Sequence, residues 1–241
     1  MQKITERYLL LWIPEQKTIN YKFLINTMND FQRFIQESLI WVEGLAALIS
    51  LLYFNKSKER YWKYFSFYLI IMFLSEVFGK WGDQLMDYNK PKFFNYFVIP
   101  LEFLFFFWLY AAKSLKRPKL FYILSTIYIL SFSSEYFFAG RKIIFSFNYT
   151  LGCLMLMILV IMEYYKQVNS SDILNFHKNK MFYINLGITL FYIGTLPFWT
   201  FYKFIIEYRD VYDIYYSYFL ISGIIMYLLF SISFIWGRQS S

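Results

Sequence analysis

The sequence predicts an all-α integral membrane protein, a bundle of about seven transmembrane helices with almost no soluble domain. Of its 241 residues, 59% are hydrophobic and 25% aromatic, and only 17% are charged, whereas an ordinary soluble domain carries about 25% charged residues. The apolar residues also fall into runs of about 20, the length that an α-helix needs to cross a bilayer. A single soluble core of this size could not hide so much apolar surface, so lipid is its natural environment.

Seven apolar runs have the length of a span, and short polar segments join them. The predicted spans are 35–54, 62–79, 94–112, 119–139, 143–163, 181–203 and 214–236. The second is the least regular, because Trp62 and Lys63 are residue types typical of the membrane interface. Only residues 140–142 separate the fourth and fifth spans, which predicts a tight hairpin.

Polar tails flank the predicted transmembrane domain of residues 35–236. Within the N-terminal tail, 1–34, residues 3–13 fit an interfacial helix and a loosely ordered segment equally well. The apolar stretch 9–13 is too short for the core of a signal peptide. Residues 237–241 form the C-terminal tail.

The net charge of +8 comes from basic residues in the polar joints, where they set helix orientation. No nucleic-acid-binding motif accompanies them, so nucleic acid is not a predicted partner. Twelve Lys and Arg lie on each side of the predicted topology. The first and third loops concentrate four each, whereas the N-terminal tail spreads its basic residues along its length. We therefore predict an inner-membrane protein with its N-terminus outside and its C-terminus in the cytoplasm.

The sequence lacks the motifs of common enzymes and metal sites. Cys153 and His177 are the single cysteine and histidine, too few for a disulfide framework or a zinc site. No P-loop, nucleophile elbow, dinucleotide fingerprint or zinc-protease motif occurs. The last span has no lysine, which excludes a retinal protein. We predict no catalytic residue, metal or cofactor.

Ionisable side chains inside a span are costly and mark functional sites. Five polar residues fall in the half of the bilayer nearer the N-terminus, namely Glu43, Glu76, Glu102, Glu135 and Asn148. The other half has almost no equivalent except Asn185. Small or polar residues share the helical faces of these side chains, which is typical of surfaces that face other helices or water. The pattern predicts a polar, acidic pocket open to the N-terminal face.

Two interpretations of the glutamates stay open. Nearby cations can neutralise them, since Lys80 lies four residues after Glu76, and Arg141 and Lys142 follow Glu135. In that case the cluster only stabilises helix packing. In the other case the carboxylates bind a ligand or an ion, or couple to protons.

Glu43 and Glu102 lie about 12 Å into parallel spans, with no Lys or Arg at that depth. We therefore expect these carboxylates to face each other across a watered pocket, where they share a proton or hold a cation. Pro100, close before Glu102, removes a backbone donor and exposes a carbonyl, or simply kinks the helix. Pro197 allows the same two interpretations in the sixth span.

Three functions are compatible with this pocket: a sensor or signalling module, a small cation- or proton-coupled transporter or channel, and, least favoured, an intramembrane enzyme. No inverted repeat is evident, and a permeation path needs polar residues through both halves. The sensor is therefore preferred. The predicted partners are the lipid bilayer and a small ligand, a cation or a partner membrane protein, and the sequence is compatible with an oligomer.

Several short motifs carry a resemblance. They are Ser75-Glu76, Phe93-Phe94-Asn95, Ile99-Pro100-Leu101-Glu102-Phe103, Met181-Phe182-Tyr183-Ile184-Asn185-Leu186-Gly187 and Phe191-Tyr192-Ile193-Gly194. Together they resemble an uncharacterised group of small multispan membrane proteins common in Bacteroidota, over roughly residues 36–236. The resemblance implies a seven-span inner-membrane protein and no particular activity.

Overall fold

The computed structural model of the chain describes residues 30–56, 59–82, 89–137, 147–170 and 178–237. The regular structure in these ranges is helical, which confirms the predicted all-α class. The main helices are α1 (Asp30–Leu52), α2 (Arg60–Trp81), α3 (Phe94–Ser114), α4 (Pro118–Phe137), α5 (Phe147–Val168), α6 (Lys180–Thr200) and α7 (Arg209–Ile235). Short helical turns at Phe54–Lys56, Lys90–Phe93 and Tyr202–Ile205 lie between them.

Five of these helices, α1, α3, α5, α6 and α7, are long and apolar enough to cross a membrane, judged over the described residues. The apolar part of α4 is shorter, Pro118–Ser133. Helix α2 has 22 residues but carries Arg60, Lys63, Glu76 and Lys80, and it is not among the five. The helices support a multispan membrane protein, while the predicted count of seven spans is not confirmed.

The side chains exposed on the helices fit a lipid environment. Phe34 and Trp41 on α1 are 70% and 75% exposed, and Ile214 on α7 is 70% exposed. Apolar side chains this open to the surroundings would be unfavourable in water, whereas in a bilayer they contact acyl chains.

Local sequence explains where several helices begin. The Asn179 side chain accepts a hydrogen bond from the Met181 backbone N–H at 2.9 Å and so caps α6. Pro118 opens α4, where its missing N–H costs nothing. The turn before it is tight, and Lys116 adopts a positive φ of 55°.

Both helices with an internal proline contain π-helical turns. In α3 the segment Phe94–Val98 is π-helical and precedes Pro100. In α6 the segment Thr189–Ile193 is π-helical and precedes Pro197. Proline cannot donate to the carbonyl four residues earlier, and widening the helix is one way to accommodate that loss. Such turns occur often at functional sites.

Helix α7 packs along α1 and α6, and α5 packs against α3, α4 and α6. Helices α1 and α7 run parallel, since Gln32 near the start of α1 donates to Ser217 Oγ near the start of α7 at 3.1 Å. Helix α2 returns along α1, and Ser66 Oγ donates to the Ser50 carbonyl at 3.2 Å. These contacts close a bundle in which α1, α3, α5 and α7 all start at the same end.

Side chains of helices α2 and α3 line a groove of about 670 Å³ at the surface of the bundle, here called the lateral groove. The groove is lined by large apolar and aromatic side chains from both helices. Tyr68 of α2 and Phe105 of α3 stack within it, with ring centroids 4.2 Å apart.

Some predicted features lie outside the described residues. They are the interfacial helix at 3–13, the hairpin joint at 140–142, most of both tails, and His177.

Candidate functional site

A largely enclosed cavity lies between α1, α2, α3, α6 and α7, in the half of the bundle where α1 begins. Its volume is about 60 Å³, counted as space open to the centre of a water molecule. A space measured in this way needs about 10–15 Å³ to admit one water, so the cavity is large enough for ordered water. We call it the acidic cavity, because Glu43 of α1, Glu76 of α2 and Glu102 of α3 all line it.

The remaining lining of the acidic cavity is mostly aromatic. Eight aromatic side chains line it, and seven of them come from α6, the turn after it and α7: Phe94, Phe191, Phe198, Trp199, Tyr202, Tyr216, Phe219 and Tyr227. The other lining residues are Gln36, Leu39, Ile40, Met72, Val98, Leu220 and Gly223. The three carboxylates therefore come from the first three helices, whereas most of the rings come from the last two.

Glu102 accepts a hydrogen bond from one tyrosine and lies close to a second. The Tyr68 hydroxyl donates a hydrogen bond to Glu102 Oε1 at 3.2 Å, and the Tyr192 side chain also interacts with this carboxylate. Glu102 is only 5% exposed. Hydrogen bonds are what a buried carboxylate requires in place of water, so part of the cost of burying Glu102 is offset by the protein itself.

Glu76 lies near a cation from the neighbouring turn. The positive charge of Lys90 acts on its carboxylate. Lys80, which the i,i+4 spacing predicted as a partner, places its ammonium group 4.9 Å from the centre of the Trp81 ring. The cation that acts on Glu76 thus lies beyond the end of α2, and the i,i+4 spacing within a helix could not identify it.

Glu43 differs from the other two acids. Its side chain is buried, with 5% exposure, and Oε2 has no hydrogen-bond partner among the described residues. Tyr227 of α7 lies next to the carboxylate and interacts with it. A buried carboxylate oxygen without a partner loses the hydrogen bonds that it makes in water, so it is ready to accept them from a ligand or from water in the cavity.

The other two predicted site residues are not in the lining of the acidic cavity. Asn148 of α5 is buried, and its Oδ1 accepts a hydrogen bond from Ser131 Oγ of α4 at 2.9 Å. It therefore joins two helices on the other side of α3. The Glu135 side chain, like Arg141 and Lys142, lies outside the part of the chain that the structure describes. The structure thus brings Glu43, Glu76 and Glu102 together.

A buried acid at the opposite end of the bundle was missed by the sequence analysis. Glu163 of α5 is 1% exposed, and its Oε2 accepts a hydrogen bond from Ser114 Oγ of α3 at 2.6 Å. Gln167 Nε2 donates to Oε1 at 3.2 Å, and Lys166 lies 3.5 Å from the same oxygen. The expectation that this half contains almost no polar side chains inside the bundle was therefore wrong.

The sequence contained a signal for this cluster. Glu163, Lys166 and Gln167 have the i,i+3 and i,i+4 spacing of side chains that meet on one helical face. The predicted span ended at residue 163, whereas α5 continues to Val168. Gln36 of the acidic cavity could also have been found, because it lies seven residues, about two helical turns, before Glu43.

Among the described residues, no three carboxylate, imidazole or thiol side chains converge closely enough to hold a metal ion. The acidic cavity can therefore offer separated carboxyl groups and aromatic side chains to a guest. It does not offer a compact ligand set for a divalent metal.

Comparison with known proteins gives no further guide to the cavity. No family model, no curated protein and no solved structure matches this chain.

Proposed function

We propose that this chain is a membrane sensor that binds a small cation in the acidic cavity. The observation that carries the proposal is the buried Glu43 carboxylate, whose Oε2 lacks a hydrogen-bond partner while lining a cavity with two further glutamates. Among the described residues, no lysine or arginine lines the cavity. A positively charged guest would supply the compensation that Glu43 lacks.

A layer of aromatic side chains below the cavity supports sensing over transport. Phe65, Phe106 and Phe230 are fully buried, and the Phe65 and Phe230 ring centroids lie 5.3 Å apart. A cation passing from the cavity to the opposite end would have to displace these packed rings. Transport of a cation or proton through the same glutamates is the alternative.

We also propose that α2 and α4 cross the membrane with the other five helices, giving seven spans. Helix α2 lies against α1, and α4 packs on both α3 and α5, so each shares the length of a spanning neighbour. The density of basic residues in the loops favours an inner-membrane protein with the N-terminus outside. In that orientation the acidic cavity belongs to the outer half of the bundle.

Thermal unfolding of the purified protein in lipid nanodiscs tests cation binding. The salts are sodium, potassium, calcium, magnesium and small alkylammonium chlorides, compared at equal ionic strength. A ligand that binds only the folded state raises the Tm. At least one cation is expected to raise the Tm of the wild type and of Glu37→Gln, an exposed acid on α1, and to lose this effect in Glu43→Gln. If no cation distinguishes Glu43→Gln from Glu37→Gln, the proposed function is wrong.

A flux assay separates sensing from transport. The wild-type protein is reconstituted in liposomes, and uptake of the stabilising cation is compared with uptake by protein-free liposomes. Equal uptake is the result expected for a sensor. Faster uptake that disappears in Glu43→Gln would instead establish the transporter.

A further inference from the structure

We propose that the guest of the acidic cavity is a small organic ammonium ion, a primary to quaternary amine of about five non-hydrogen atoms. This inference rests on the proposed cation-binding function and adds the chemical class of the ligand. It follows from the division of the cavity into a carboxylate side and an aromatic side.

On the carboxylate side, one oxygen of Glu43 is open to a guest, while Tyr227 interacts with the same carboxylate. Lys90 acts on Glu76, and Glu102 accepts a hydrogen bond from Tyr68 and lies close to Tyr192. Among the three glutamates, it is Glu43 whose carboxylate has a buried oxygen, Oε2, without a hydrogen-bond partner among the described residues. An ammonium N–H would give this oxygen a charge-assisted hydrogen bond, and a quaternary ammonium would give it charge alone.

The aromatic side is built around Phe219 of α7. Its ring centroid lies 5.4 Å from that of Trp199 at an interplanar angle of 86°, and 5.3 Å from that of Phe191. Tyr216 stacks on it at 6.3 Å. All four of these residues line the acidic cavity. Aromatic faces attract cations whose charge is spread over alkyl groups, and such rings are the usual protein environment of quaternary ammonium ligands.

The same lining disfavours inorganic cations. Calcium and magnesium require six or more oxygen ligands in a compact shell, and no three acidic side chains among the described residues converge to start one. Most of the wall is apolar and cannot replace the water around a small metal ion. An alkylammonium ion carries its own apolar surface, so the aromatic wall and the carboxylate both match it.

The size of the cavity limits the ligand. The space of about 60 Å³ open to the centre of a water molecule restricts the guest to a compact ion such as tetramethylammonium or tert-butylammonium. Gly223 contributes to this space, because a Cβ added there would lie 3.3 Å from both Leu39 Cδ1 and Phe191 Cε2.

The first test uses the wild-type protein in nanodiscs and two probes of the same shape. Isothermal titration calorimetry compares tert-butylammonium chloride with tert-butanol, which replaces the ammonium group with a neutral hydroxyl. We expect the ammonium to bind at least about tenfold more tightly. Equal affinity would show that the cavity recognises apolar shape alone and would overturn the inference.

The second test uses variants and tetramethylammonium chloride as the probe. Glu43→Gln removes the charge, and Phe219→Leu removes the central ring while keeping an apolar side chain. Each is expected to weaken binding by about tenfold. The matched controls are Glu37→Gln and Phe67→Leu, which change an exposed acid on α1 and an exposed ring on α2. These controls are expected to bind as the wild type does.

The outcomes separate this inference from the function on which it rests. If potassium, sodium or calcium stabilises the protein through Glu43 and neither ammonium probe binds, the ligand class is wrong and the cation-binding function stands. If tetramethylammonium binds equally well to Phe219→Leu and to the wild type, the aromatic argument is wrong. If no cation of any class binds, both proposals fail.

Discussion

Tyr68 and Glu102 are joined by a hydrogen bond of 3.2 Å that crosses from the lateral groove to the acidic cavity. Tyr68 lines the groove between α2 and α3, and Glu102 lines the cavity. The bond therefore links a surface that faces lipid to the interior site. It also ties α2 to α3, two helices that meet through side chains.

Tyr68→Phe removes this hydroxyl and leaves the aromatic packing in place. Because Glu102 is buried, the lost donor is expected to lower the free energy of unfolding by about 1–3 kcal/mol. Thermal or denaturant unfolding in detergent measures the change. Tyr64→Phe, one turn earlier on α2 and 45% exposed, is the matched control. Equal stability of the two variants would show that the hydrogen bond contributes nothing.

Gly152 of α5 lies directly against Phe103 of α3. A Cβ at residue 152 would lie 2.9 Å from the Phe103 ring, which is fully buried among Tyr128, Tyr149 and Tyr192. Moving the ring away from residue 152 would press it against these neighbouring rings. We expect Gly152→Ala to destabilise the protein by about 1–3 kcal/mol through overpacking.

The cause of that loss can be tested by a double-mutant cycle. Phe103→Leu makes room beside residue 152, so the double variant is expected to be more stable than the sum of the two single changes predicts. Strict additivity would show that the Phe103 ring is not the obstacle.

Glu163 is expected to be structural. In Glu163→Ala, Ser114 and Gln167 lose the acceptor that they share, and the free energy of unfolding should fall by about 1–3 kcal/mol. Glu37→Ala, which removes an exposed acid from α1, should have little effect. A large effect on cation binding in Glu163→Ala, without loss of stability, would contradict the structural role.

Cysteine crosslinking tests whether the first and third helices share the cavity. Glu43→Cys and Glu102→Cys are combined in a Cys153→Ser background, because Cys153 is the native thiol and is buried. A short bifunctional thiol reagent is expected to join the pair. The combination Glu43→Cys with Asn148→Cys should not react, because Asn148 faces α4. If the first pair fails to crosslink while control pairs on adjacent helices succeed, Glu43 and Glu102 do not share a cavity.

Reporter fusions test orientation. Fusions after Arg60, Arg117 and Arg238 are expected to report the cytoplasm, and fusions after Asp87 and Asp210 the outside. The reverse pattern would mean that the basic residues of the N-terminal tail outweigh the dense clusters in the first and third loops.

Much of the helix pattern could be predicted because lipid imposes a length. Predicted span 94–112 corresponds to Phe94–Ser114, and predicted span 181–203 to Lys180–Thr200. The predicted ends of the spans were less accurate where a helix continues through polar residues. Helix α1 begins five residues before the predicted start, and α5 extends five beyond its predicted end.

The candidate site could be predicted only in part, because sequence gives depth and not direction around the bundle. Glu43 and Asn148 were placed in the same half of the bilayer, yet Asn148 faces Ser131 of α4. The tyrosines that hold Glu102 could not be selected either. The chain has 24 tyrosines, and only the packing of α2 and α6 against α3 identifies Tyr68 and Tyr192 as its partners.

The parallel pair α1 and α7 has a consequence for how the chain is made. Gln32 donates to Ser217, and Glu43 lies beside Tyr227, so the polar face of α1 is covered by α7. The ribosome delivers α1 first and α7 last. Until α7 is made, the amide and carboxylate groups of α1 must therefore form hydrogen bonds with the insertion machinery or with water. A nascent chain that stops before residue 209 has all three glutamates and lacks the helix that encloses them.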